Sequence, residues 1–61
     1  MPSEHKIARV RDCARKWHNA VKRGDVSLTY AAYEAVGEAT YPYCEVGDFD
    51  RLMAEAKRVL R

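Results

Sequence analysis

Four side chains in this sequence carry the chemistry of soft metals and of nucleophiles: His5, Cys13, His18 and Cys44. Zinc would need four such ligands, or three and a water, converging from positions that the backbone brings together. A helix presents two ligands on one face at spacings of three or four, whereas Cys13 and His18 are five apart, about 140° round the helical wheel. No Cys-x-x-Cys or His-x-x-x-His pair occurs, so the spacing predicts no metal and no cofactor. A cysteine nucleophile would need a facing histidine, a third group to orient it, and a pocket. A chain of 61 residues has little material to enclose one. Gly24, Gly37 and Gly47 are isolated and make no phosphate-cradling loop. The expectation is a protein that is not an enzyme.

Charge is the stronger signal. Residues 1–23 hold seven basic and two acidic side chains, residues 24–50 hold six carboxylates and no lysine or arginine, and residues 51–61 are basic again. The net +2 conceals this plus–minus–plus order, which bears on partners rather than on fold. Either the acidic middle neutralises its basic neighbours, or basic surface is left for a ligand. On the first helix Arg9, Lys16 and Arg23 form one row and Arg11, Arg15 and Lys22 another. Arg9, Arg15, Lys16, Lys22 and Arg23 are therefore the candidate nucleic-acid contacts. A pI near 8.7 is low for a dedicated binder of nucleic acid, so this stays the second reading.

The elements that position these groups follow from apolar spacing. Ile7, Val10, Ala14, Trp17 and Val21 recur at three and four, predicting a helix over residues 3–23, started at Ser3 or Pro2 and stopped by Gly24. Trp17 is its expected central core residue, with a cost of about 3–5 kcal/mol for Trp17→Ala. A second helix is predicted over residues 26–40. Asp25 or Ser27 caps it, Pro42 ends it, and Leu28, Ala32, Ala35 and Ala39 form its narrow apolar face, with Val36, Thr29 and Tyr33 extending the arc to about half the circumference. A third is predicted over residues 48–60, capped by Asp48, with Phe49, Leu52, Met53, Ala56 and Leu60 inward. No stretch alternates as a strand would. The fold class is all-α: one small domain, a three-helix bundle or an open three-helix array. Leu28 to Gly37 has the outline of the first helix and turn of a helix-turn-helix. Tyr33 stands where that motif wants a small residue, and Tyr41, Pro42 and Gly47 interrupt the place of a recognition helix. The motif is rejected.

Nine alanines and few large apolar residues make a lean core, and so short a chain has a thin stability margin. Self-association, with a homodimer as the expected form, would add to it. All four tyrosines, Tyr30, Tyr33, Tyr41 and Tyr43, fall in the acidic segment. Tyrosine brings large area at low entropic cost and is enriched in interfaces. Tyr30, Tyr41 and Tyr43 with Glu34, Glu38 and Glu45 are the candidate contacts for a protein partner, while Tyr33 and Tyr43 are the two that could instead complete the thin core. The primary expectation is a non-enzymatic protein–protein interaction module of adaptor or inhibitor type, such as bacteria and phages use as accessory proteins. No apolar run is long enough to span a membrane, and Met1 to Arg15 has no leader-like hydrophobic stretch. Cytoplasmic location is expected, with Cys13 and Cys44 reduced.

Overall fold

In the computed structural model, which describes residues 1–61, the chain is all-helical and has four helices rather than three. They are α1 (Glu4–Arg15), α2 (His18–Lys22), α3 (Leu28–Thr40) and α4 (Val46–Leu60). Two of the three expected caps are present. The Ser3 hydroxyl accepts from the Lys6 amide at 3.1 Å, and the Ser27 hydroxyl accepts from the Tyr30 amide at 3.0 Å. Each satisfies one donor that the first turn of a helix leaves orphaned. Gly24 closes α2 with φ of +80°, the left-handed geometry that glycine adopts without a Cβ penalty.

The expected single helix over residues 3–23 is corrected to two. At Lys16 and Trp17 the backbone tightens, with the Lys16 amide on the Cys13 carbonyl (3.2 Å) and the Trp17 amide on that of Ala14 (2.9 Å). These are i to i−3 bonds. Helical bonding resumes with the Val21 amide on the Trp17 carbonyl at 3.0 Å. Neither proline nor glycine stands at this break, so local sequence carries no sign of it. The bend brings α2 against α4.

The cap of the last helix is also corrected. It begins two residues earlier than expected, with Glu45 in the capping position and no side-chain cap bond. Asp48 lies within the first turn and is buried. Its carboxylate accepts from Lys6 at 3.3 Å, with the terminal amine of Met1 3.9 Å away. A cross-helix partner has taken the side chain that would have capped its own helix. With Arg11 on Glu55 at 2.6 Å, residue numbers rise together along α1 and α4, so these two helices run in the same direction. The five-residue connection after α3 reverses the chain, and α3 runs against both.

The core confirms the lean composition. Eleven buried apolar residues form it, and six are alanine: Ala14, Ala31, Ala32, Ala35, Ala39 and Ala56. Such small residues let helix axes approach at the short end of the usual range, about 8 Å. The largest side chains fully enclosed are Leu52, Val10 and Val36. Trp17, expected at the centre, is instead partly buried at the edge of this cluster, because the break places it at the N-terminus of α2. Its ring meets Tyr30 edge-on, with centroids 5.9 Å apart. The expected cost of Trp17→Ala falls accordingly to about 2 kcal/mol, read as a modest drop in Tm with a cooperative thermal transition retained.

Candidate interaction surfaces

The core arc of α3 is centred on Ala31, Ala32, Ala35, Val36 and Ala39, which turns Thr29 and Tyr33 outward. Tyr33, which could have completed the core, is 59% exposed, and Tyr43 is 69% exposed. Tyr30, Tyr33 and Gly37 follow at spacings of three and four and so share the outer face of α3. Gly37 leaves that face open, since a Cβ built there would meet nothing within 4 Å. Tyr33 leans edge-on against Phe49 of α4, centroids 6.1 Å apart, which fixes its ring without burying it. Beyond α3 the loop holds Tyr41, Pro42 and Tyr43 in solvent, and Val46 opens α4 at 89% exposure.

Six large hydrophobic side chains are exposed on the molecule, and five of them lie between Tyr30 and Val46; Met1 is the sixth. Tyr30 and the end of α3 are about 15 Å apart along the helix axis. By itself Tyr30 would be remote from Tyr41 and Tyr43. Tyr33 extends the exposed aromatic face one turn from Tyr30 towards that end, and the tyrosine-at-helical-spacing pattern was the signal that could have placed it there. Of the acidic candidates, Glu45 is exposed in the loop, Glu34 is partly buried on α3, and Glu38 is bonded to Lys16 of the turn after α1. That ammonium holds the Glu38 carboxyl below its ordinary range.

The basic rows of the N-terminal segment are largely engaged. Lys6 reaches Asp48, Lys16 reaches Glu38, and Arg23 reaches Asp25 at 2.9 Å. Arg15 pairs with Asp12 at 2.7 Å, and the Arg9 Nε donates to the Ala39 carbonyl at 3.2 Å. Among the five candidate nucleic-acid contacts only Lys22 has no such partner. Three of these pairs join the basic segment to the acidic middle, the self-neutralising alternative of the charge pattern. Exposed pairs of this kind are individually weak, but together they lower the potential that a phosphate would meet.

A second charged feature lies between α1 and α4, and charge counting by segment did not single it out. Glu55 is buried, 4% exposed, and its two oxygens receive three guanidiniums. Arg11 and Arg58 donate to Oε1, each at 2.6 Å, and Arg51 donates to Oε2 at 3.0 Å. Arg58, then Arg11 and Arg51, hold the Glu55 carboxyl down at about 2. The Arg51–Glu55 and Glu55–Arg58 spacings of four and three were readable on a helix, but Arg11 arrives only through tertiary packing.

The cysteines are both free. Cys13 is buried, and burial together with the neighbouring Glu38 carboxylate pushes its thiol up. A nucleophilic cysteine needs the opposite, a neighbouring positive charge that stabilises thiolate. No three of the His, Cys, Asp and Glu side chains converge as metal ligands would, and no helix is long and apolar enough to cross a membrane.

The chain is thus a small all-helical protein with an aromatic outer face on α3 and a guanidinium cluster between α1 and α4. Comparison with protein-family models, with characterised proteins and with solved structures finds no match to it.

Proposed function

We propose that this protein is a non-enzymatic interaction module of adaptor or inhibitor type, working by occupying a partner protein's surface with the tyrosine face of α3 and the loop that follows. The observation that carries this reading is the concentration of exposed large apolar side chains on Tyr30, Tyr33, Tyr41, Tyr43 and Val46. A patch of this composition is costly to leave in water and is the kind of surface that protein contacts cover. Glu34 and Glu45 give it a negative rim. In isolation the same surface pairs with a second copy, and the protein is a homodimer.

Sedimentation equilibrium at high micromolar concentration tests this. The wild-type chain is expected to exceed its 7.0 kDa monomer mass, and Tyr41→Ser/Tyr43→Ser to return to it with the same Tm within a few degrees. Capture of partner proteins from a lysate should fall with the same variant and survive nuclease. A wild-type chain that is monomeric and captures nothing but nucleic acid would overturn the reading.

Nucleic-acid binding through Arg9, Arg15, Lys16, Lys22 and Arg23 ranks second because four of those five are bonded within the chain. Affinity for random duplex at physiological salt is expected to be roughly micromolar or weaker, in the range of non-specific binding. Fluorescence anisotropy across a salt series measures it. Nanomolar affinity abolished by substituting Arg9, Lys16 and Arg23 would reverse the order of the two readings.

A further inference from the structure

Between α1 and α4, on the flank where Arg11 and Arg51 meet Glu55, runs an open groove of about 470 Å³ lined by Glu4, Ile7, Ala8, Arg11 and Arg51. We propose that this groove is a docking slot for an acidic amphipathic segment of a partner protein, with one carboxylate taken between Arg11 and Arg51 and apolar side chains laid on Ile7 and Ala8. The inference rests on the reading of the protein as an interaction module, but it uses a surface separate from the tyrosines.

Three facts support it. The first is charge: three guanidiniums share the single Glu55 carboxylate, which leaves a surplus of positive charge beside the groove. The second is the donor inventory. A guanidinium carries five N–H donors. Arg11 spends its Nε on Glu55 and Arg51 spends one terminal nitrogen. Both terminal nitrogens of Arg11, and the Nε and other terminal nitrogen of Arg51, have no partner within the chain. The third is pre-organisation. Glu55 is buried and bonded once to each arginine, which restricts both side chains before any ligand arrives, so less side-chain entropy is lost on binding.

The remaining lining residues choose between kinds of anion. Ile7 and Ala8 offer apolar wall, which an amphipathic helix would cover and a phosphate backbone would not use. Glu4, exposed in the first turn of α1, adds a negative charge at the edge. It tolerates a single carboxylate between the arginines but repels a closely spaced row of phosphates. The occupant that fits is an isolated carboxylate on an otherwise apolar helical face.

The test uses the full chain and a blocked synthetic helical peptide with one glutamate among leucines at spacings of three and four. Isothermal titration gives affinity, and the arginine Nε–H resonances locate the contact. Arg51→Gln should weaken binding about tenfold, as loss of a charge-assisted pair does. Glu4→Gln, which breaks no bond in the fold, should tighten it about threefold. Lys57→Gln removes the same charge outside the groove and should change affinity by less than about twofold. Tyr41→Ser/Tyr43→Ser should leave peptide affinity unchanged, so that failure of the groove and failure of the tyrosine surface are told apart. The proposal is overturned if Arg51→Gln binds as the wild type does, or if Lys57→Gln weakens binding equally. Tighter binding of inorganic phosphate or duplex DNA than of the peptide also overturns it. Should Arg51→Gln fail to fold, an unchanged affinity in Glu4→Gln is sufficient to reject it.

Discussion

Leu52→Ala is expected to bring this protein to the edge of unfolding at room temperature. Leu52 is completely enclosed, and it is the largest such side chain in a core where six of eleven residues are alanine. Truncating a buried leucine removes its transfer free energy and leaves a cavity, a loss of about 2–5 kcal/mol. Alanine neighbours have no rotamers with which to fill the space, so the cost should sit in the upper half of that range. A domain of this size has a total stability of about 3–9 kcal/mol. Thermal and urea melts followed by circular dichroism should therefore show a Tm lowered by tens of degrees or no folded baseline. Leu52→Met, which conserves volume, should cost less than about 1.5 kcal/mol. A melt of Leu52→Ala superimposable on the wild type would mean that the helices do not pack round this residue.

The second large effect is that of Glu55, and it depends on pH in a defined direction. Its carboxyl is held at about 2 in the fold against an ordinary value of 4.5. The unfolded chain therefore takes up this proton more readily than the folded one. The stabilisation is complete above about pH 4.5 and is lost as pH falls towards 2. Glu55→Gln should cost about 2 kcal/mol at pH 7, because three charge-assisted hydrogen bonds lose their acceptor charge. The figure is modest for a buried carboxylate because Arg11, Arg51 and Arg58 are each partly exposed and can rehydrate. In a chain this short it corresponds to about 10 °C in Tm. The difference between wild type and variant should shrink between pH 4.5 and 2, as protonation makes Glu55 itself neutral. A difference that stays constant through that window would show that the three arginines do not act on the ionised carboxylate.

These expectations divide according to what local sequence can and cannot state. Hydrophobic recurrence at three and four, the serines before two of the helices, and the punctuation at Gly24 and Pro42 determined an all-helical chain, because each acts within one or two turns. The composition determined a lean, alanine-rich interior, and the tyrosines' confinement to the acidic segment determined where aromatic surface would be sought. Everything that required knowing which helix lies beside which was decided by tertiary structure. The break at Lys16 and Trp17 has no local signal; it moved Trp17 to the rim and left the centre to Leu52, Val10 and Val36. Asp48 looked like a cap because capping residues are polar and precede apolar runs, yet the proximity of Lys6 made it a cross-helix partner. Tyr33 fell outside the core because α3 faces its neighbours with Ala31 and Ala35, a rotation of the helix that periodicity alone does not settle when so much of its circumference is apolar. Arg11, Arg51 and Arg58 converge on Glu55 from two helices running the same way. Sequence reads charge in order along the chain, whereas an electrostatic site is defined by distance through space.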